Sequence, residues 1–325
     1  MKTRILKMIA GIIVFSAISG TSLNAQVVRN DVIKAYNEGA KASQTDVNAA
    51  IGAFENVVVL ADQVGESCND LKQKAMQILP GLYYKAAYNN LNEKKPAPEI
   101  ILAAKKAVAA AEKYGSDANK ENAGKILIQA YSTMAAEYFT NNDYENALLA
   151  YDSVLLVNPD YLTGIYNKAL IYMRQNNVEA FEQTVDQFIE KAKAANDEGK
   201  VNQASTLALE YFRAAGSQAS QAEKLDEALI MFDKAAKYGE DKDLFYFYAD
   251  VYNKQKNFNS GAEYAQKGLD LETGDAEAKA KFYYQLAVAQ AGKGQTANAC
   301  ASFKNALYGP FADAAKAQRT NLKCE

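Results

Sequence analysis

Apolar residues recur along most of this chain at spacings of three and four residues. Ala50, Phe54 and Val57 show the pattern near the start, and Ala147 and Tyr151 show it near the middle. These spacings place the side chains on one face of an α-helix, whereas strands would alternate at every second residue. We therefore predict a chain that is almost entirely helical.

Two short phrases repeat within this pattern. The first is a small residue, an aromatic residue four positions later and a small or apolar residue three positions after that, at 50–57, 147–154, 228–235 and 299–306. The second is an aromatic residue or Ile, then a Tyr, then an Ala three positions after the Tyr, at 83–87, 165–169, 245–249 and 283–287. Polar turn residues such as Asn141-Asn142-Asp143 separate the phrases, so each unit is predicted to be helix, short turn, helix.

The repeated unit resembles the tetratricopeptide repeat family, in which two antiparallel helices form a unit of about 34 residues. Small residues let the paired helices approach, and aromatic residues fill the space around them. The matching positions are Tyr131, Met134, Ala135, Tyr138, Ala147, Tyr151 and Pro159 in one unit, and Tyr283, Leu286, Ala287, Ala299, Phe303 and Ala306 in the last. The chain departs from the family pattern where Ala replaces the small Gly of most units, where Phe181 replaces a second-helix Ala, and at Gly261 and Ala265.

The resemblance implies an all-α fold, a right-handed α-α superhelix of about seven helical hairpins with a C-terminal capping helix. The looser repeats lie at 31–115, the clearer repeats at 128–311 and the capping helix at 311–325. No long linker divides the array, so we expect one tetratricopeptide-like repeat domain from 26 to 325, with its weakest join at 197–201.

Residues 1–25 have the three-part plan of a secretory signal peptide: a basic start, an apolar run from Met8 to about Ile18, and a polar stretch ending at Ala25. The apolar run is about half as long as a bilayer span, so an N-terminal membrane anchor is the weaker alternative. We expect an exported protein of the periplasm, the extracellular space or the cell envelope, without an integral membrane span.

Charge and composition narrow the range of functions. The chain has 36 Lys and Arg against 39 Asp and Glu, a net charge of −3, and loss of the three basic leader residues lowers it to −6. Nucleic-acid binding depends on Lys and Arg that neutralise phosphates, so this balance argues against it. The chain has no His, which removes the commonest general base and most zinc sites. We therefore predict no catalytic residue, no metal site and no cofactor.

Three cysteines remain for an oxidising compartment: Cys68, Cys300 and Cys324. In such a compartment, three cysteines are expected to form one disulfide and to leave one free thiol. A bond between Cys300 and Cys324 would close a loop of about 25 residues, which stabilises by about 3 kcal/mol in the chain-entropy model. We predict this disulfide and a buried thiol at Cys68, with two buried thiols at Cys300 and Cys324 as the alternative.

The resemblance also implies where a partner would bind. In the family, the residue after the first aromatic of each first helix tends to line the concave groove; here those residues are Tyr36, Tyr84, Ser132, Tyr166, Arg213, Tyr246 and Tyr284. By the same register, further candidates are Phe139, Met173, Arg174, Asp250, Asn253 and Lys254. Tyr is favoured at interfaces because it is amphipathic and loses few rotors on binding. The alternative is that these Tyr pack between neighbouring helices with only the hydroxyl exposed.

The leading functional hypothesis is a non-enzymatic, exported interaction module whose groove holds a peptide or protein segment from a partner of the cell envelope. The alternative is a scaffold subunit of an outer-membrane or secretion-associated complex, acting through its convex face and its ends. An enzyme is the least favoured class, because no carboxylate pair or nucleophile stands out from the background of surface charges.

Overall fold

The computed structural model describes residues 27–325, so the predicted leader lies outside the described residues. Over this range the regular structure consists of α-helices and two 3-10 turns, Glu66–Cys68 and Gly309–Phe311, with no strand. The prediction of an all-α chain is confirmed. Among the helices of this range, none combines the length and the apolar character that a membrane crossing needs.

The chain forms two compact units, and the division between them falls between Ile126 and Leu127. The first unit contains α1 Arg29–Ala42, α2 Val47–Val64, α3 Asn69–Asn92 and α4 Ala97–Tyr114. Helix α5, Asp117–Thr140, contains the division. The second unit continues with α6 Tyr144–Val157, α7 Leu162–Arg174, α8 Val178–Ala194, α9 Glu198–Gln221, α10 Leu225–Ala236, α11 Lys242–Lys254, α12 Phe258–Leu271, α13 Ala276–Gly292, α14 Thr296–Asn305 and α15 Ala312–Asn321.

Helices that follow one another in the chain pack together within each unit. In the second unit, α11 also contacts α9 and α13, so the first helices of successive hairpins lie side by side. The order of the described helices gives seven hairpins followed by α15, as predicted. The extent of a single repeat domain over 26–325 stays a prediction.

The turns inside several hairpins have a common chemistry. Asn142, Asn176 and Lys256 each adopt a positive φ, at 59°, 53° and 64°, which lets the chain reverse direction in a few residues. The next residue but one begins the second helix, and Asp143 and Asn177 cap such helices by accepting a hydrogen bond from a backbone N–H. Asn tolerates the left-handed conformation and Asp or Asn caps a helix, so the polar turns predicted from sequence are confirmed.

Small residues lie where the two helices of a hairpin cross. Gly39 on α1 faces the ring of Phe54 on α2, and a Cβ there would lie 3.0 Å from the ring. Gly216 on α9 faces Phe232 on α10 still more closely. Both rings are buried, as is Ala147 on α6. The small-residue and aromatic positions of the repeat are therefore the helix-crossing contacts that the sequence pattern predicts.

The departures from the repeat pattern have visible compensations. Phe181, which stands where the pattern predicts a small residue, is fully buried and its ring lies 4.3 Å from Tyr211 and 5.6 Å from Phe212 on α9. Gly261 and Gly268 on α12 leave room for the side chains of Asn253 on α11 and Phe282 on α13. At Phe181 a large ring packs against neighbouring rings of α9, whereas at Gly261 and Gly268 a larger neighbour fills the space that the missing side chain leaves.

The C-terminal end is a short helix joined covalently to the last hairpin. Helix α15 buries Ala315 and leaves Ala314 exposed, so its apolar face is narrower than the sequence indicated. Cys300 on α14 and Cys324 are disulfide-bonded, with their Cα atoms 5.5 Å apart. Cys68 is a buried free thiol.

Candidate functional site

A groove in the second unit collects residues from three first helices. It contains an open cavity of about 590 Å³ lined by residues of α9, α11 and α13 and by Phe311 of the 3-10 turn Gly309–Phe311. Cavities of this size are in the range that binds ligands in other proteins. The residues that line it are Glu210, Arg213, Ala214, Ser217, Gln218, Gln221, Asp243, Tyr246, Phe247, Lys281 and Phe311.

Aromatic rings form one wall of this groove. The ring of Phe311 lies 6.3 Å from that of Tyr246 and 5.5 Å from that of Tyr284. Tyr246 also contacts Phe282 at 6.2 Å, edge to face, and Tyr284 packs on Phe303 at 5.5 Å. These rings form a connected set in which both Tyr are half-buried, and Tyr246 and Phe311 line the cavity.

The cations of the groove are paired with carboxylates. Arg213 forms an ion pair with Asp241, and Lys281 donates to Asp243 at 2.5 Å. The Lys281 ammonium also lies 5.5 Å from the centre of the Tyr246 ring. Burial opposes ionisation of Asp243, but the hydrogen bond and charge of Lys281, with the charge of Arg213, hold the pKa of that carboxyl below its usual value. The positive and negative charges of the groove therefore nearly cancel, and the groove presents neither a strongly basic nor a strongly acidic surface.

A hydrogen-bond network joins α9, α11 and α13 beside the aromatic wall. The Lys254 ammonium donates to Asp250 at 2.7 Å and to the Ser220 hydroxyl at 3.2 Å. Gln285 donates from Nε2 to Asp250 at 3.0 Å. Asn253 donates from Nδ2 to both the backbone and the side-chain oxygen of Gln285, each at 2.9 Å. These bonds fix the spacing of the three helices and hence the width of the groove.

The two Tyr hydroxyls of the wall stay protonated at neutral pH. Burial and the charge of Asp250 raise the pKa of Tyr246, against a lowering effect of Gln285, and the same two causes raise the pKa of Tyr284. Both phenols can therefore donate a hydrogen bond to a carbonyl or carboxylate oxygen of a bound segment.

The predicted groove residues divide into two groups. Arg213 and Tyr246 line the cavity. Tyr284 does not line it but contacts Phe311, which does, and Lys254 belongs to the adjoining hydrogen-bond network. Asn253, a further candidate from the same register, is only 6% exposed, so it supports the groove without being available to a partner.

The other candidates lie elsewhere. Tyr36 packs edge to face on Phe54 at 5.3 Å, and Tyr166 lies 5.4 Å from Phe188, each within its own hairpin. The remaining two are Tyr84, which is half-buried beside Tyr88, and Arg174, which lies at the end of α7. Tyr36 and Tyr166 contact the second helix of their own hairpin, and Tyr84 contacts a ring on its own helix. A partner-binding role for these residues stays a prediction.

Sequence reasoning missed Phe311 and Lys281 as groove residues. The repeat pattern assigns Phe311 to the start of the capping helix, although the preceding Gly309-Pro310 is a signal for a turn that redirects the chain. Lys281 lies one helical turn before Tyr284. The repeat register selects one position in each first helix, which is Tyr284 here, and therefore does not select Lys281. Among the described residues, there is no cluster of three or more Cys, Asp or Glu arranged to hold a metal ion.

No family model matches the sequence. No curated protein matches it either. Solved structures do match, with low global similarity. A tetratricopeptide repeat protein from Parabacteroides merdae is 15% identical, with 90% of this chain and 99% of that chain covered and a TM-score of 0.30.

Two further matches have similar values. MamA is 18% identical over 61% of this chain and 97% of that chain, with a TM-score of 0.34. YrrB, described as a tetratricopeptide repeat protein with an unusual peptide-binding site, is 18% identical over 59% of this chain and 91% of that chain, also with a TM-score of 0.34. The description of this chain as a series of helical hairpins rests on its own helices, turns and helix crossings.

Proposed function

We propose that this tetratricopeptide repeat protein is an exported, non-enzymatic interaction module that binds a segment of a partner protein of the cell envelope in the groove of its second unit. The observation that carries the proposal is the convergence of Arg213, Tyr246 and Lys281 from three separate helices on one cavity. The predicted leader and the Cys300–Cys324 bond favour an oxidising compartment.

The groove also indicates the chemistry of the segment. Since Arg213 and Lys281 already have carboxylate partners, a strongly acidic tail would gain little and would compete with Asp241 and Asp243. The aromatic wall favours an apolar or aromatic side chain, and the polar side chains of α9 suit the backbone of an extended segment. We therefore expect a partner segment of low net charge that carries at least one aromatic residue.

Blocking variants test this proposal without disturbing the core. Ala214 lines the cavity and is not part of the buried core, so Ala214→Arg and Ala214→Glu would each fill the groove, with opposite charges. Ala49→Arg, at an exposed position of α2 outside this groove, is the matched control. The full chain is used to capture proteins from an envelope extract, which are identified by mass spectrometry. A partner retained by the wild type and the control but lost with both Ala214 variants supports groove binding.

A scaffold role has one specific observation in its favour. Leu149 and Leu156 lie two turns apart on α6, and their side chains are 58% and 85% exposed, which is uncommon for Leu. Such residues mark contact surfaces when they are close together. If Leu149→Ser with Leu156→Ser abolishes capture while the Ala214 variants do not, then the outer surface of the second unit is the binding site and the groove proposal is wrong.

A further inference from the structure

The segment that follows the last hairpin is attached to it by a disulfide bond as well as by packing. Helix α15 is ten residues long and buries only Ala315, whereas isolated helices shorter than about 12–15 residues are marginal in water. Its non-covalent contacts include the Arg319 guanidinium, which donates to the carbonyl oxygens of Cys300 at 2.5 Å and Glu325 at 2.6 Å. Ala315 and the half-buried Leu322 also pack against the buried residues of the last hairpin. The Cys300–Cys324 bond adds a covalent constraint to these contacts.

Phe311 lies near the middle of the loop that this bond closes. The two cysteines are 24 positions apart, and Phe311 rests between them on the rings of Tyr246 and Tyr284. These are the two Tyr side chains that the repeat register assigns to partner binding. Phe311 therefore covers the part of these two rings that an aromatic side chain of a partner would contact, while the cavity beside it stays open.

We propose that Phe311 is an intramolecular cover of the aromatic wall of the groove, and that the Cys300–Cys324 disulfide holds it there until an external dithiol reduces the bond. A thiolate of the dithiol attacks one sulfur to give a mixed disulfide, and its second thiol then displaces the protein sulfur. The products are two protein thiols and one oxidised dithiol, so two electrons and two protons are transferred.

The bond is placed where a dithiol can reach it. Cys300 and Cys324 line a surface cavity of about 520 Å³, together with Lys304, Arg319 and Lys323. These cations favour the approach of a thiolate and stabilise the protein thiolate that leaves. By the chain-entropy model, opening a loop of this length shifts the equilibrium of the segment toward release by about 100-fold.

A single tryptophan tests the proposal, because the chain has none of its own. Phe311→Trp reports on the groove, and Tyr308→Trp, at a position that is 47% exposed, is the matched control. In the full oxidised chain, we expect Trp at 311 to emit at shorter wavelength than Trp at 308 and to be protected from iodide quenching. After reduction with dithiothreitol, its quenching constant should rise toward that of the control, while far-ultraviolet circular dichroism changes little.

Three results would overturn the proposal. Trp at 311 that is quenched as readily as the control before reduction shows that the wall is not covered, and protection that survives reduction shows that the bond is not the constraint. Loss of most helicity on reduction shows that the bond stabilises the whole unit and does not act on the segment alone.

Hydrogen exchange provides a second measurement, in case tryptophan is not accommodated. In the unsubstituted chain, reduction should accelerate exchange in residues 309–325 and leave α11 and α13 unchanged. Equal protection before and after reduction would also refute the proposal. Because these experiments follow residue 311 and its segment, they succeed or fail independently of whether a partner binds the groove.

Discussion

Replacing Gly216 by Ala separates the packing of a helix crossing from helix propensity. A Cβ atom on Gly216 would overlap the ring of Phe232 and lie 3.0 Å from the carbonyl oxygen of Ala228. Phe232 is fully buried, so the ring has nowhere to move without displacing α10. Forcing an extra methyl group into such a core costs about 1–3 kcal/mol, whereas replacing Gly by Ala inside a helix stabilises by about 1 kcal/mol.

Gly52→Ala is the matched control for this variant. Gly52 lies inside α2, is exposed, and a Cβ there would meet no atom within 4 Å. Both variants gain the same helix propensity, so the difference between them isolates the packing cost. We expect Gly52→Ala to raise the free energy of unfolding by about 0.5–1 kcal/mol. The free energy of unfolding of Gly216→Ala should be about 1–3 kcal/mol lower than that of Gly52→Ala.

Urea unfolding followed by circular dichroism measures the difference in the free energy of unfolding. Hydrogen exchange shows whether the loss of protection is confined to α9 and α10. Adding Phe232→Leu should recover part of the loss in the Gly216→Ala background, with a coupling energy of about 0.5 kcal/mol or more. If Gly216→Ala stabilises as much as Gly52→Ala, with no coupling to Phe232, then the contact between helix and ring does not limit this crossing.

Two further predictions concern the groove. Because the neighbouring cations lower the pKa of Asp243 below 3.8, its ionised form stabilises the fold above that pH, and the contribution is lost as the pH falls through the folded-state pKa. The urea midpoint of Asp243→Asn should therefore depend less on pH than that of the wild type between about pH 2 and 4, and identical slopes would exclude the effect. Replacing Tyr166, Tyr246 and Tyr284 together by Ala should weaken binding of an identified partner by about tenfold or more. An unchanged affinity at a native melting temperature would rule out the Tyr stripe.

The local structure of this protein could be predicted from the sequence. The three-four spacing around Phe54 and Tyr151 indicated the helices, and Asn142 and Asn176 indicated the turns, because backbone sterics and hydrogen-bonding geometry act over only a few residues. The count of seven hairpins and a final helix followed from the same periodic pattern. Even the pairing of Cys300 with Cys324 could be proposed, since the repeat places one on the last hairpin and the other just beyond it.

The site depended on tertiary structure. The register argument selected Tyr36, Tyr166 and Tyr246 equally, yet of these three Tyr246 alone lines the groove of the second unit, because Arg213, Lys281 and Phe311 come to it from other elements. Whether a side chain that faces outward from its own helix meets solvent, a neighbour or a cavity depends on which residues the adjacent elements bring beside it. Those residues are far apart in the chain, so a pattern confined to one repeat carries no information about them.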